Sequence, residues 1–404
     1  MTGLLDALDG DPEVDRAVDD TAIVRAMLDA EAALAHALAG AGMIPTESAN
    51  AVTEAAGELD LDAAELGRRA AQSGTPVIPL VEALRSVVPE SARNAVHLGA
   101  TSQDIIDTAL QLVAKRALGP LLGHLDSAAG RAAELAAEYR STPALARTLG
   151  QPALPTTFGL RTAGWLAGLD TAAAELHRLR TTRLAVQLGG AAGTMSAYGT
   201  DGPKIAALLA AELSLRDPGA PWHTERSRVL MLGAALGAAV AACGKVGTDV
   251  GLLSQAEVGE VAEAEPGGSS AMPHKRNPAR SVLVVAAARR APGLVGTLFA
   301  CGVHEQDRAT GSWHAEWPTL RELLRITGGA AARTAQVLAG LHVDAAAMRR
   351  NLGAVTTDIA TEPTTPTEPT DPTSGPPDHI GSAQYLVDRA LTAYHQRTRG
   401  ADQP

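Results

Sequence analysis

The chain has 404 residues, more than one compact core usually holds, and 46% of them are hydrophobic, enough to fold unaided. Aromatic residues are only 2%, so the apolar mass is Ala, Leu and Val, and Ala is the strongest helix former. A net charge of −11 argues against a nucleic-acid partner, and two distant cysteines, Cys243 and Cys301, argue against a disulfide framework or a thiolate metal site.

The N-terminal stretch MTGLLDALDGDPEVDR is acidic and its apolar part is too short for a signal peptide, so the cytoplasm is expected. Ile23, Met27, Ala30 and Leu34 share one face of a helix over Thr21–Ala39. HLGATSQDIIDTA, from His97 to Ala109, starts a second helix, in whose first turn Asp104 and Asp107 read as capping and dipole partners. RTLGQPALPTTFG, from Arg147 to Gly159, is polar and punctuated by Gly and Pro, and a helix over Phe158–Leu184 follows.

Between Val229 and Leu253 the apolar residues Val229, Leu232, Leu236, Ala239, Cys243, Val246, Val250 and Leu253 alternate at spacings of three and four. This is the a/d repeat of a long bundle helix, and with so little aromatic bulk a bundle shared between subunits is expected. Lys245 and Asp249 argue against a membrane span there. Further helices are expected over Arg280–Val303 and Leu320–Leu341.

From Thr356 to Asp378 the composition turns to Thr and Pro, that of a solvated linker, and Ile380–Tyr394 regains a short amphipathic pattern. No alternating run of strand length stands out, so the fold expected is all-α. The organisation predicted is an N-terminal helical domain over 1–95, a central long-helix bundle over 96–354, a Thr/Pro-rich linker over 355–379 and a C-terminal helix within 380–404.

The segment Gly267–Pro278, GGSSAMPHKRNP, carries the most chemistry. Paired glycines and serines make a mobile loop that Pro273 and Pro278 stiffen on the far side. Lys275 offers a point charge to a carboxylate and Asn277 an oriented amide. This is an anion-binding loop with two hydroxyls, and its spacing is not that of a Walker phosphate loop. No histidine stands in an H-E-x-x-H or other metal spacing, so no metal is expected.

GSSAMPHKRNP resembles the signature loop G-S-S-x-M-P-x-K-x-N-P of the fumarase/aspartase superfamily, complete over its fixed positions. The resemblance implies a cofactor-free homotetramer around a central helix bundle, with active sites shared between subunits and a small di- or tricarboxylate as substrate. It makes Ser269 the general base that takes a proton alpha to a carboxylate. Lys275 and Asn277 would hold that carboxylate as charge builds up in an aci-carboxylate intermediate. The His97 segment is similar to the family's other substrate loop, with Thr101 and Ser102 as donors to a carboxylate at a helix start and His97 in a substrate or acid role. Gln151, Thr156 and Thr157 correspond to substrate contacts of the family's R-T-H-G-Q-x-x-x-P-T-T-F-G element.

That element departs from the family at one position: Leu149 stands where adenylosuccinate lyases carry a general-acid histidine. An amine or hydroxyl needs a proton donor to leave, whereas a carboxylate or nitrite does not. Leu149 therefore argues against adenylosuccinate, argininosuccinate, aspartate or malate.

The branch that fits resembles the bacterial 3-carboxy-cis,cis-muconate cycloisomerases of aromatic catabolism, in which the substrate's own carboxylate closes onto a double bond. It matches PVIPLVEALR, QPALPTTFGLRTAGWLAGLD, VQLGGAAGT, PWHTERSRV, SQAEVGEVAE and HEQDRATGSWHAEW. By this resemblance His304, Arg308 and Trp313 line the pocket, and His223 and Arg226 approach from a neighbouring subunit. His314 and Glu316 read as polar groups of a helix start. The Thr/Pro linker stands where the family continues into a compact third domain, so that domain is expected to be shortened. The alternatives are elimination of nitrite from nitrosuccinate, another carbon–heteroatom lyase such as adenylosuccinate lyase, and a non-catalytic helical scaffold.

Overall fold

The computed structural model describes residues 3–355 and 380–401; of the expected linker, residues 356–379 lie outside the described residues. Five helices lead: α1 (Pro12–Val18), α2 (Asp20–Gly40), α3 (Thr46–Glu58), α4 (Ala63–Ser73) and α5 (Val77–Val87). The 37-residue α6 (Ser102–Glu138) then runs into strands β1 (Pro143–Thr148) and β2 (Gln151–Thr157), and α7 (Phe158–Thr182) returns alongside it. After α8 (Gly202–Glu212) come α9 (Ser227–Leu253), β3 (Val261–Glu263), α10 (Ala279–Cys301) and α11 (Ser312–Ala339). The chain continues through β4 (Leu341–Val343), α12 (Ala345–Gly353) and α13 (Ala383–Ala401).

Local chemistry accounts for several boundaries. Asp11 caps α1, with Pro12 at its first position, and Asp19 caps α2 through Ala22 N–H at 2.8 Å. The helix expected from Leu320 begins at Ser312 and carries Pro318 within it, and Pro120 and Pro292 likewise sit inside α6 and α10. Proline costs an isolated helix about 3 kcal/mol, and here packing on the bundle outweighs that cost.

The fold is mostly helical, as expected, with two short antiparallel strand pairs added among the described residues. RTLGQPALPTTFG forms most of an antiparallel hairpin, with Thr148 opposite Gln151, and β3 pairs antiparallel with β4. Pro152 and Pro155 break any alternating pattern in the sequence. They are tolerated because a two-stranded ribbon leaves one edge of each strand without a hydrogen-bonding partner.

The α6, α7, α9, α10 and α11 helices pack into a bundle, and one continuous cluster of buried residues runs from Val14 to Met348. All eight a/d residues of α9 are buried inside this one chain, against α7, α10 and α11. The repeat thus marks the face of α9 that turns into its own chain, while Met231, Ala234, Ala238, Ala241 and Leu252 on its other face are exposed. By length and composition α9 and α10 could each cross a membrane, yet α9 is a bundle-core helix.

The terminal helix α13 docks back on α6 and α7. Val387 is fully buried, and both carboxylate oxygens of Asp388 accept from Arg140 at 2.6 Å.

Small residues let α9 and α10 approach closely. A Cβ on Gly244 would lie 2.5 Å from Ala288 Cβ, and one on Gly247 3.0 Å from the Ser281 carbonyl oxygen. Gly244→Leu is expected to cost about 1–3 kcal/mol, since neither helix can recede without opening the core. A urea unfolding midpoint unchanged from that of the parent would contradict this packing.

Candidate active site

One end of the bundle gathers most of the buried charge. Here the 96–101 loop enters α6, residues 222–226 enter α9, and residues 302–311 join α10 to α11. Asp104 is buried, and its carboxylate accepts from the backbone N–H groups of Thr101 (3.0 Å), Gly189 (2.8 Å) and Gly190 (2.9 Å). His223 Nε2 lies 2.7 Å from the same carboxylate. Asp107, one turn on, accepts two hydrogen bonds from Arg226, at 2.8 and 3.1 Å, and one from Trp313 Nε1 at 3.0 Å. The Arg226 guanidinium also bonds Glu316, at 2.5 and 3.1 Å. Burial alone would disfavour its charge, but the two carboxylates more than restore it, and its pKa is raised.

These contacts correct three expectations. Asp104 does cap α6, but both it and Asp107 are also interior carboxylates with long-range partners. Glu316 is the buried second anchor of Arg226 rather than a solvated helix-start group. His223 and Arg226 are enclosed by their own chain, at the same end as His97.

The predicted contacts at this end occupy different positions. Thr101 and Ser102 are half-buried at the start of α6. Arg308 donates to Gln103 Oε1 at 3.2 Å and to the Ala191 carbonyl at 3.3 Å, fixing its guanidinium beside the α6 start. The His304 ring is buried, with Nε2 3.0 Å from Glu316 and Nδ1 3.3 Å from the His223 carbonyl, so both nitrogens are engaged within the chain. His97 has φ +59°, a left-handed conformation that costs a non-glycine residue about 1 kcal/mol. Its Nδ1 lies 2.6 Å from Glu31 Oε1 of α2.

The other end of the bundle carries the remaining motif residues. At the hairpin tip Leu149 has φ +52° and Gly150 φ +78°, the left-handed pair of a type I′ turn, and the Leu149 side chain is fully exposed. Arg147 bonds both oxygens of buried Glu260, at 2.7 and 3.2 Å, tying the hairpin to the segment between α9 and β3. Gln151 is exposed and Thr156 half-buried. Thr157 is buried, its hydroxyl accepting from Leu160 N–H as the cap of α7.

The 267–278 loop is closed by paired backbone hydrogen bonds between Gly267 and Asn277 (2.8 and 2.9 Å), and Asn277 Nδ2 donates to the Gly268 carbonyl. Ser269 Oγ accepts from Met272 N–H at 3.1 Å and Ala271 N–H at 3.4 Å, donors that favour a negatively charged oxygen. Lys275 is exposed.

Two long helices hold these groups apart. The 27 residues of α9 and the 23 of α10 span about 40 and 35 Å at 1.5 Å per residue. His97, Thr101, Ser102, His304 and Arg308 therefore collect at one end, and Ser269, Lys275, Asn277, Gln151, Thr156 and Thr157 at the other. Sequence reading had no signal for Asp107 or Glu316 as interior charges, because helix-start acids are ordinarily solvated. Glu31 had one: a carboxylate among Met27, Ala30 and Leu34 on the apolar face of α2.

A bundle of long helices carrying the serine loop at one end and a polar α6 entry at the other defines a class. The chain belongs to the lyase family of the fumarase/aspartase superfamily, whose family model, described as "Lyase", matches residues 12–293. It is similar to the 3-carboxy-cis,cis-muconate cycloisomerase of Bradyrhizobium diazoefficiens, 44% identical over 86% of this chain and 79% of that protein. It is also similar to the nitrosuccinate lyase of Streptomyces davaonensis, 41% identical over 89% of this chain and 79% of that protein. The crystal structure of the 3-carboxy-cis,cis-muconate lactonizing enzyme from Pseudomonas putida superposes with a TM-score of 0.87, at 34% identity, covering 98% of this chain and 99% of that one.

Removing Arg226 leaves two buried carboxylates facing each other. Arg226→Leu is expected to destabilise the chain by about 3–5 kcal/mol. Thermal denaturation reads this directly, and a melting temperature within a degree of the parent's would contradict it.

Proposed function

We propose that this chain is an enzyme that lactonises 3-carboxy-cis,cis-muconate, acting in the cytoplasm as a homotetramer with shared active sites. The observation that carries this reading is Leu149. The hairpin tip presents an exposed apolar side chain where a general-acid histidine would stand, so the transferred group must already be a stable anion. The substrate's own carboxylate is such a group. The similarity to cycloisomerases over most of the chain supports the same substrate.

In this reading a substrate carboxylate oxygen forms a C–O bond to the β-carbon of the double bond. The displaced electron pair moves into the carboxylate on the α-carbon, forming the aci-carboxylate, whose charge faces Lys275. The Ser269 Oγ–H proton then passes to the α-carbon. In the reverse direction the Oγ alkoxide, held by the Ala271 and Met272 amides, removes that proton. Thr101 and Ser102 hold another carboxylate at the α6 start, and Gln151 and Thr156 line the cleft beside the serine loop.

The shared site follows from helix length. Groups about 35–40 Å apart in one chain meet only if copies pack antiparallel, bringing the serine loop of one against the α6 entry of another. The exposed apolar residues of α10 and its end, Val282, Phe299 and Val303, supply a surface for such packing.

A second reading is favoured by the relative from Streptomyces davaonensis: elimination of nitrite from nitrosuccinate, which needs no acid either. Ultraviolet absorbance separates the two, since lactonisation consumes a conjugated diene and nitrite release creates a fumarate chromophore. Ser269→Ala is expected to keep the tetramer and to lower turnover about 10²–10⁴-fold. Unchanged turnover would remove Ser269 as the proton-transfer group, and a wild type inert towards both substrates would favour a scaffold.

A further inference from the structure

Glu31 lies in the middle of α2, 66 residues before His97, and its side chain is wholly buried. Its Oε1 is 2.6 Å from His97 Nδ1, while its Oε2 is buried with no hydrogen-bond partner among the described residues. A carboxylate kept for structure alone would have both oxygens satisfied, because an orphaned buried acceptor is costly. This one spends its contact on a single ring nitrogen. His97 Nε2, on the far edge of the ring, is bonded by no described residue, and the ring keeps 16% of its exposure. Its left-handed backbone commits the 97–101 loop to this placement, and the Tyr198 hydroxyl closes the loop by donating to the Leu98 carbonyl at 3.0 Å.

We propose that Glu31 is a positioning residue for the reaction: it grips His97 by Nδ1 and favours the charged ring, whose Nε2–H then donates to a substrate carboxylate. This rests on the reading of the α6 entry as the carboxylate-binding half of the site. It makes His97 an anion-holding group, with the proton transfer left to Ser269.

The charged and titratable groups around the ring agree in sign. Burial pushes the His97 pKa down. The hydrogen bond and charge of Glu31 from α2, with Asp104 from α6, push it up by more, against Arg85 from α5. The net direction is upward. Tyr198 adds no charge, since burial and the same two carboxylates raise its pKa. The imidazolium is therefore favoured relative to a free histidine, and it is lost as pH rises through the raised value.

The test uses the full chain. In Glu31→Gln the amide oxygen still accepts from Nδ1–H but the charge is gone. The alkaline limb of kcat/KM is expected to move down by about one pH unit or more, through KM rather than kcat, on whichever substrate is turned over. Glu31→Asp, which keeps a carboxylate, is expected to restore much of the shift. NMR titration of the His97 ring, assigned with His97→Gln, should give a wild-type pKa above the ordinary histidine value of 6.5. That arm needs no turnover and no folded Glu31 variant, so it stands apart from the fate of the muconate reading. A His97 pKa at or below that value, or a pH profile that Glu31→Gln leaves in place, would overturn the proposal.

Discussion

A single buried guanidinium holds one end of the bundle together. Arg226 precedes α9, Asp107 belongs to α6 and Glu316 to α11, so one side chain joins three helices where each begins. Outside water, a guanidinium with two carboxylates around it tolerates little displacement, because a lost contact leaves a charge without compensation. The neighbouring groups build on that arrangement. Trp313 shares Asp107, His304 shares Glu316, and the His223 carbonyl receives Gln103, which in turn holds Arg308. The polar wall of the α6 entry is thus a consequence of where Arg226 sits.

The long helices impose the second constraint. With Arg226 before α9 and Glu260 beyond its end, the two halves of the chemistry stand a helix length apart. Each half is locally ordered. Asp104 gathers the α6 start, and Glu260 gathers the hairpin through Arg147 and α12 through Asn351. Rigid half-sites held apart in one chain suit a reaction whose cleft forms between copies. In the proposed assembly each copy would deliver a preorganised surface, leaving little ordering for the moment of binding.

The serine loop and the hairpin tip differ from that rigid frame. The 267–278 loop is pinned at its neck by Gly267 and Asn277 and exposed at Lys275, and the hairpin ends on exposed Leu149. Both are anchored at the base and open at the tip. This geometry suits segments that meet a substrate, or another copy of the chain, from outside.

Much of this was legible in the sequence. The α9 repeat, the serine loop and the α6 entry each announce themselves through local spacing, because helix periodicity and loop chemistry act over a few residues. Helicity, the bounds of α9 and the superfamily were determined there. The hairpin was not, because Pro152 and Pro155 erase the alternation that marks a strand. The direction in which the α9 seam faces was not, because apolar residues at a and d are buried equally well by the same chain or by another. The partners of Asp107, Glu316 and Glu31 were not, because a carboxylate acquires its partner from segments tens or hundreds of residues away. Sequence determines which groups are present and their local geometry. Only the tertiary structure decided which charges are paired in the interior, and which end of a 40 Å helix (about 27 residues at 1.5 Å each) each group occupies.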